Sequence, residues 1–361
     1  MSSPAQSSPA SDTTNLLDQE IADLRRRVEQ AHIPPDLRLK VAKDITALER
    51  SVEFGAYDQK SEKVQRYVNW VLRVPWFAEV DDQLDIEHAK RVFDEHHYGM
   101  HDVKERFLEY IAVLRLRRDQ LPDSQFSAPI LMLVGLVGTG KTTFAYSLAE
   151  ALSRPLVRIP FGGMGSAREL RGRSRLFLES EPGRVVKGMA DVGVRNPVIL
   201  LDEIDRVAGE ARSDIMGVLV ELLDPAQNHA FVDNYLDYPV DLSKAIFLAT
   251  ANNTTDIATA VMDRIEKISM PSYTDHQKIV IGKNYILPKL LESAGLRADQ
   301  LSIEEDLWPQ MVRPLGFDAG IRTLQRTLEG VVRKAARILV EKNFPEVVIT
   351  RQNQKIFLPQ Y

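Results

Sequence analysis

One short segment limits the folds open to this chain more than any other. Residues 135–142 read Gly-Leu-Val-Gly-Thr-Gly-Lys-Thr, fit the pattern G-x-x-x-x-G-K-[ST], and directly follow the apolar run 129–134. Glycines let backbone N–H groups wrap a phosphate, and a helix that begins after the loop turns its positive end toward the anion. The segment therefore predicts a strand, a phosphate-binding loop and a helix, in that order.

The side chains of this phosphate loop (residues 135–142) point to a specific ligand. Lys141 is expected to reach the β and γ phosphates of a nucleotide, and Thr142 to offer its hydroxyl to Mg²⁺. We therefore expect ATP and Mg²⁺ as ligands. The residues of the loop expected to bind them are Gly135, Gly138, Thr139, Gly140, Lys141 and Thr142.

A second apolar run, residues 198–201, ends in two carboxylates, Asp202 and Glu203. Asp202 is expected to hold the Mg²⁺ shell, and Glu203 to polarise the attacking water. An acidic pair at the end of a strand can also be a solvated turn. Downstream of a phosphate loop, the pair instead favours nucleotide hydrolysis over nucleotide binding alone.

Short apolar runs alternate with helical patterns from residue 127 to about 270. The runs are 129–134, 156–159, 198–201 and 245–250. Nearly continuous apolar runs of strand length are typical of a parallel sheet that helices cover on both faces. After Pro271 the pattern predicts helices over 274–343, and residues 347–358 read as an isolated strand pair. The predicted fold class is α/β, with a small helical domain after the sheet.

The N-terminal part is predicted to be helical. Residues 2–14 are small and polar, as in a disordered tail. Asn15 is expected to cap a first helix, which Pro34 and Pro35 end before a second one begins. We expect these helices to dock on their own domain rather than to form a coiled coil. The predicted parts are a tail (1–14), a helical arm (15–80), a large α/β subdomain (81–270), a small helical subdomain (271–345) and a C-terminal tail (346–361).

Composition excludes several classes of protein. The formal charge is −5, which argues against a surface built throughout for nucleic acid. Cysteine is absent, so thiolate nucleophiles, disulfides and Cys-ligated metals are excluded. The longest apolar runs fall far short of the ~20 residues of a membrane span, and the N-terminus lacks the pattern of a signal peptide. A cytoplasmic protein without a membrane partner is expected.

From about residue 62 to 340 the chain resembles the ATPase module of the bacterial Lon proteases, which belong to the AAA+ class. Long strings carry the resemblance, among them Tyr67-Val68-Asn69-Trp70, His97-Tyr98-Gly99, Glu169-Leu170-Arg171-Gly172 and Ala319-Gly320-Ile321-Arg322. Such blocks follow one another with gapless spacing. The resemblance implies a P-loop AAA+ sheet sandwiched by helices, a small all-helical lid and a homo-oligomeric ring, by analogy a hexamer.

The resemblance also implies roles for residues outside the phosphate loop. Asn252 corresponds to sensor 1, which helps to place the attacking water. Arg322 corresponds to sensor 2, and Arg264 to the arginine finger that reaches the γ-phosphate of a neighbouring subunit. The residues that fall where the family encloses adenine are His97, Tyr98 and Gly99.

Residues 172–184 align with the substrate-gripping pore loop of the family, with Phe177 and Leu178 at the tip. An aromatic–aliphatic pair among charged and small residues has little chance of a continuous buried face, and such a pair can wedge against an unfolded polypeptide. A core position is the alternative for Phe177. Glu179 stands where the family has a glycine. The arginines in and beside this candidate pore loop could instead contact phosphates.

The leading prediction is an ATP-driven motor that unfolds, translocates or remodels polypeptide, with a separate protease or effector protein as a further partner. A chain of 361 residues leaves no room for the protease domain of the family, so proteolysis is not predicted. Two alternatives stay open: an AAA+ ATPase stimulated by nucleic acid, and an ATP-gated scaffold that barely hydrolyses. The acidic net charge favours polypeptide over nucleic acid.

Overall fold

The computed structural model describes residues 9–53, 58–120, 129–177, 179–313 and 318–358. It begins with a helical arm of α1 (Pro9–Gln30), α2 (Pro35–Glu53) and α3 (Asp58–Arg73). Pro34 and Pro35 separate α1 from α2 as predicted, because proline restricts the residue before it and lacks an N–H.

The start of α1 corrects two predictions. Residues 9–14 are helical rather than part of a disordered tail, and Asn15 lies inside the helix rather than at its cap. Proline suits the first turn of a helix, and Ser, Thr and Asp are common at helix starts, so this segment begins a helix despite its composition. Residues 1–8 of the predicted tail lie outside the described residues.

The arm docks on its own domain, which confirms that interpretation over the coiled coil. Apolar residues of all three helices are buried in one hydrophobic cluster with side chains of the central sheet. The buried arm residues include Ile21, Leu24, Val28, Val41, Ile45, Leu48, Tyr67 and Val68. Because these side chains belong to the same buried cluster as residues of the sheet, the arm is part of the core.

The centre of the described structure is a five-stranded parallel sheet. The strands of the large subdomain are β1 (Ile130–Val134), β2 (Leu156–Pro160), β3 (Val198–Asp202), β4 (Phe231–Asp233), β5 (Tyr238–Val240), β6 (Ile246–Ala251) and β7 (Ile265–Ser269). The sheet order is β2–β3–β6–β1–β7, and β4 and β5 form a separate antiparallel hairpin. The parallel sheet is confirmed, whereas β7 and the hairpin were not predicted.

Helices cover both faces of this sheet, as the apolar runs predicted. They are α4 (Ile86–His96), α5 (His101–Gln120), α6 (Lys141–Ala151), α7 (Arg168–Arg171), α8 (Arg184–Val192), α9 (Arg212–Leu222) and α10 (Thr259–Met262). Alternate residues of each strand enter different clusters: Ile199 and Leu201 of β3 join the arm side, and Val198 and Leu200 the other. A strand buried on both faces has to be apolar throughout.

The C-terminal part has its own hydrophobic core. Its elements are α11 (Asp275–Ile281), α12 (Leu287–Ser293), β8 (Leu301–Ile303), α13 (Trp308–Val312), α14 (Arg322–Lys342), β9 (Val347–Ile349) and α15 (Gln354–Phe357). The helical lid is confirmed, but residues 274–343 are not helical throughout, because they include the short strand β8, which pairs in parallel with β9.

Of the strand pair predicted over residues 347–358, only β9 forms, and it pairs with β8 rather than within this stretch, which packs against α14 instead of forming a separate tail. Ile349 and Phe357 are buried in the same cluster as α14, and residues 354–357 are helical. Three-residue strands are too short to produce a recognisable alternation, which explains the error. The predicted domain divisions at residues 80 and 270 stay predictions. Within the described ranges, no helix combines the length and apolar character needed to cross a bilayer.

Candidate nucleotide-binding site

The phosphate loop connects β1 to α6, as predicted, and its backbone requires glycine at several positions. Gly138 and Gly140 have φ angles of +83° and +95°, which side-chain-bearing residues rarely adopt. A Cβ at Gly135 would lie 2.7 Å from the Cβ of Met270. The loop therefore requires glycine at these positions to adopt this backbone conformation.

Lys141 lies within the curve of this loop. Its Nζ donates hydrogen bonds to the carbonyl oxygens of Gly135 (2.7 Å) and Leu136 (3.0 Å) and to Oδ1 of Asn252 (3.1 Å). Burial lowers the pKa of Lys141 from its usual value, and the nearby carboxylates of Asp205 and Glu203 partly offset this decrease. The structure thus brings the predicted phosphate-binding lysine next to the predicted sensor 1 residue.

The Asp202 carboxylate at the end of β3 is buried and fully hydrogen-bonded. Its Oδ1 accepts from Oγ1 of Thr250 (2.6 Å) and Oγ1 of Thr142 (3.3 Å). Its Oδ2 accepts from Nε (2.8 Å) and Nη2 (2.6 Å) of Arg158. Sequence reasoning missed Arg158 and Thr250, since neither belongs to a nucleotide-binding pattern on its own.

Thr142 and Asp202 fit the ligand chemistry of Mg²⁺. Both offer oxygen, and Mg²⁺ is usually held by one or two carboxylates together with waters and substrate phosphates. No cluster of three or more His, Cys, Asp or Glu side chains suited to a metal is found in the described part of the chain. This pattern is typical of a magnesium ion that arrives with its nucleotide.

Glu203 adopts a left-handed backbone conformation beside Asp202. Its φ is +58°, and its N–H donates to Oγ1 of Thr250 at 2.8 Å. Strained backbone of this kind clusters at active sites. The side chain of Glu203 is about one-third exposed, so its carboxylate has access to water.

Asn252 follows β6 and connects two charged groups. Besides accepting from Lys141, it donates from Nδ2 to Oδ2 of Asp205 at 3.4 Å. Oδ1 of Asp205 is buried without a hydrogen-bond partner. This Asp205 oxygen therefore leaves an unused hydrogen-bond acceptor beside Asn252.

The lid reaches the phosphate loop through residues 318–322, which we call the lid strap. The N–H of Ile321 donates to the carbonyl of Gly138 at 3.1 Å. A Cβ at Gly320 would lie only 2.6 Å from the backbone of Gly138. Arg322 is exposed next to Gly138, and its guanidinium forms no hydrogen bond or ion pair with the described residues. The predicted sensor 2 residue is therefore beside the loop and available to an anion.

The predicted adenine-binding residues line a cleft between α4–α5 and the lid. Its volume is about 470 Å³, and Tyr98 and Gly99 face Gln277 and Tyr285 across it. Gly99 has a φ of +69°, and a Cβ there would lie 3.1 Å from Nε2 of Gln277. The cleft is narrow where the lid approaches, so a residue larger than glycine would obstruct it.

His97 lines the same cleft, but its ring packs inward. The ring stacks on Phe144 with centroids 3.6 Å apart, and Nε2 lies 3.0 Å from Oγ of Ser147 on α6. Burial lowers the pKa of His97 to about 3. A neutral ring held in this way supports the helix that follows the phosphate loop.

Arg264 is held against its own chain. Its Nη2 donates to Oδ2 of Asp224 (3.0 Å) and its Nη1 to the carbonyl of Ala260 (2.7 Å). Backbone N–H donation from Ala226, followed by the bond from Arg264, lowers the pKa of Asp224. The role of Arg264 as a finger in a neighbouring subunit stays a prediction.

The tip of the candidate pore loop is exposed at Phe177. The side chain is 48% exposed, with the guanidinium of Arg173 4.4 Å above its ring. A core position for Phe177 is thereby wrong, while Leu178 lies outside the described residues. Leu176, which sequence reasoning did not single out, is 86% exposed. Glu179 has a φ of +21°, in a region that favours the glycine it replaces.

The base of this loop is held by Asp233 at the end of β4, a residue that no sequence pattern singled out. Its Oδ2 accepts from the N–H of Gly183 (2.7 Å), and its Oδ1 from those of Tyr235 (2.8 Å) and Leu236 (3.1 Å). Burial raises the pKa of Asp233 to about 6, although these N–H groups act in the opposite direction. A Cβ at Gly172 would lie 2.9 Å from Oδ1.

The candidate pore loop also contacts the helical arm. Nη1 of Arg175 forms an ion pair with Oδ2 of Asp44 on α2 at 2.8 Å. The same guanidinium lies 3.8 Å from the ring centre of Tyr67 on α3. One arginine thus connects the loop to two helices of the arm.

Comparisons with known proteins agree with this geometry. Residues 131–273 match the "ATPase family associated with various cellular activities (AAA)", and residues 292–347 match the "Lon protease AAA+ ATPase lid domain". Lon protease 2 of Thermus thermophilus is 37% identical over 94% of this chain and 43% of its own length. Lon protease of Brevibacillus choshinensis is 39% identical over 95% of this chain and 43% of its own.

The match covers only part of these relatives. The chain spans about two fifths of the length of the curated Lon proteases it matches, including that of Bacillus thuringiensis at 38% identity. The resemblance predicted from the sequence is confirmed for the ATPase domain and the lid. With a phosphate loop at the centre of its parallel sheet and a Lon-type lid against that loop, the chain belongs to the AAA+ ATPases and is a Lon-like ATPase module.

Proposed function

We propose that this chain hydrolyses ATP with Mg²⁺ and uses the energy to unfold, translocate or remodel polypeptide as a subunit of a homo-oligomeric ring. The observation that carries the proposal is the convergence of Lys141, Asp202 and Asn252 around one loop, with Arg322 of the lid beside it. A cytoplasmic location, hexameric assembly and cooperation with a separate protease or effector belong to the same proposal.

Each group at the site has a chemical task in hydrolysis. Lys141 exchanges its bonds to loop carbonyls for phosphate oxygens when nucleotide enters. Thr142 and Asp202 would hold the magnesium ion, which would neutralise developing charge on the phosphates. Glu203 orients and polarises the attacking water, and Asn252 helps to place it. Arg322 supplies positive charge from the lid, so that opening or closing of the lid changes hydrolysis.

The exposed Phe177 supports the coupling of this chemistry to polypeptide. An aromatic ring on a loop that is anchored at its base offers a contact that does not depend on sequence. Its neighbour Leu176 extends the exposed apolar surface. Such a pair can press against an unfolded chain wherever it meets apolar side chains.

The test compares ATP turnover with and without an unfolded protein. We expect stimulation by unfolded protein in the wild type, no turnover in Glu203→Gln, and basal turnover without stimulation in Phe177→Ala. Phe344→Ala is the matched control, because Phe344 is 51% exposed on the lid, close to the 48% of Phe177. Stimulation that persists in Phe177→Ala would contradict a role of this side chain in gripping substrate.

The nucleic-acid alternative loses support because three of the five arginines in and beside the candidate pore loop form ion pairs. Arg171 pairs with Glu221, Arg184 with Glu169, and Arg175 with a carboxylate of the arm. Arginines neutralised in this way contribute less to phosphate binding. Stimulation of turnover by DNA at low salt would revive this alternative, since contacts with phosphates weaken steeply as salt rises.

A further inference from the structure

The Asp202 carboxylate receives hydrogen bonds from three different elements. Arg158 reaches it from β2, Thr250 from β6 and Thr142 from α6. Asp202 itself is 3% exposed. The two oxygens have different partners, because only Oδ1 is shared with the phosphate loop.

Arg158 binds Oδ2, the carboxylate oxygen that Thr142 does not bind. Both Nε and Nη2 of its guanidinium donate to this oxygen, at 2.8 and 2.6 Å. Strands β2 and β3 pair in register with Pro160 opposite Asp202, so the arginine comes from two residues upstream on the neighbouring strand. A guanidinium keeps its charge at any physiological pH, so titration of the arginine does not break this contact.

Thr250 holds the other oxygen and the next residue at once. Its hydroxyl donates to Oδ1 of Asp202 at 2.6 Å and accepts from the N–H of Glu203 at 2.8 Å. Thr250 is fully buried on β6. One hydroxyl therefore fixes the carboxylate of Asp202 and the strained backbone of Glu203 relative to each other.

We infer that Arg158 and Thr250 are positioning residues that hold Asp202 in a single orientation, with Oδ1 presented to Thr142 on the magnesium side of the site. This inference rests on the proposed function only in that the site takes Mg²⁺ with its nucleotide. Without Arg158, Oδ2 loses both of its donors, and only the hydroxyls of Thr250 and Thr142 on Oδ1 still restrain the carboxylate. The lysine of the phosphate loop is untouched by this change, so nucleotide binding without metal stays as it was.

Binding of a fluorescent ATP analogue separates these contributions. The dissociation constant is measured in excess EDTA and at saturating Mg²⁺, and the Mg²⁺ concentration for half-maximal binding is determined at fixed nucleotide. For Arg158→Met we expect that concentration to rise about tenfold, the lower end of the effect of residues that support metal ligands. Binding in EDTA stays unchanged. Arg158→Lys restores part of the loss because it keeps one charged donor.

Thr250→Val is the second variant, since valine matches threonine in shape and lacks the hydroxyl. It is expected to raise the Mg²⁺ requirement in the same way. Arg212→Met is the matched control, because it removes an ion pair with Asp256 that includes no partner of Asp202, and we expect it to leave the Mg²⁺ requirement unchanged. Melting temperatures of all variants are recorded in parallel.

The results that overturn the inference are distinct. An unchanged Mg²⁺ requirement in both Arg158→Met and Thr250→Val excludes a positioning role. Equal weakening of binding with and without Mg²⁺, accompanied by a lower melting temperature, shows a structural role instead. Wild-type protein that binds nucleotide without any dependence on Mg²⁺ overturns the inference alone. Wild-type protein that binds no nucleotide overturns the proposed function and the inference with it.

Discussion

Substitution of Gly320 by alanine tests the contact between the lid strap and the phosphate loop. The new Cβ would lie 2.6 Å from the carbonyl carbon of Gly138 and from the carbonyl oxygen of Val137. Because non-bonded carbon atoms prefer separations of about 3.5–4.0 Å, the strap has to retreat by roughly 1 Å. Both contact atoms belong to the backbone, so no flexible side chain can absorb the clash.

A retreat of this size has two consequences. The bond from the N–H of Ile321 to Gly138, now 3.1 Å, stretches beyond hydrogen-bond range. Its loss costs about 1 kcal/mol, which lowers the melting temperature by only a few degrees. Arg322 moves with the strap, and a misplacement of about 1 Å can reduce a rate by about 100-fold. We therefore expect kcat/KM for ATP to fall by roughly 10- to 100-fold in a folded protein.

Phosphate release and thermal unfolding of the same preparations check this prediction. Gly330→Ala is the matched control, because Gly330 lies within α14 and a Cβ there would meet nothing within 4 Å. Alanine in a helix interior is more stable than glycine by about 1 kcal/mol, so this variant should melt higher and hydrolyse ATP normally. Full ATPase activity in Gly320→Ala would refute the reasoning. Equal loss of activity in both variants would refute it as well.

Three further predictions concern the candidate pore loop and the ring. Arg175→Ala removes a partly exposed ion pair and a cation–π contact with the arm. It should therefore lower the free energy of unfolding, measured by denaturant titration, by about 1–2 kcal/mol. An unchanged denaturation midpoint would contradict this prediction. The pKa of Asp233 is raised by burial from 3.8 to about 6, so the folded state binds more protons than the unfolded state between these values. The contribution of Asp233 to the free energy of unfolding should therefore fall as pH rises from about 4 to about 6. In Asp233→Asn, the free energy of unfolding should lack this decrease with pH. If Arg264 acts on a neighbouring subunit, Arg264→Ala and Lys141→Ala should each lack ATPase activity alone, and mixing the two variants should restore it. Mixed rings without ATPase activity would argue against action between subunits.

The sequence predicted the parts of the fold whose residues are apolar in a continuous run. The strands β1, β2, β3 and β6 are of this kind, and the phosphate loop is recognisable because its chemistry requires specific residues. The edge strand β7 reads Ile-Glu-Lys-Ile-Ser and carries charges that a central strand would not tolerate, so no run marks it. The three-residue strands β8 and β9 are stabilised by each other and by the lid core rather than by a local pattern.

The site shows the same division. Lys141 and Thr142 are predicted from the spacing of the phosphate loop and Asp202 from its place after an apolar run, whereas their neighbours in space are not predicted. Arg158 lies 44 positions before Asp202, and Thr250 lies 48 positions after it. Only the order of strands in the sheet brings these side chains together. Sequence patterns detect groups that are close along the chain, whereas the contacts of Arg158 and Thr250 with the Asp202 carboxylate depend on the topology of the sheet.

The anchoring of the candidate pore loop has a mechanical consequence. Asp233 binds the N–H of Gly183 at one end of the loop, and the side chain of Asn234 donates to the carbonyl of Gly172 at the other. Both ends are therefore tied to one short β-hairpin. A pull on Phe177 would load these bonds in parallel and pass into the hairpin rather than stretch the loop. In a motor that pulls a polypeptide, such a loop would transmit force to the substrate with little extension of its own backbone.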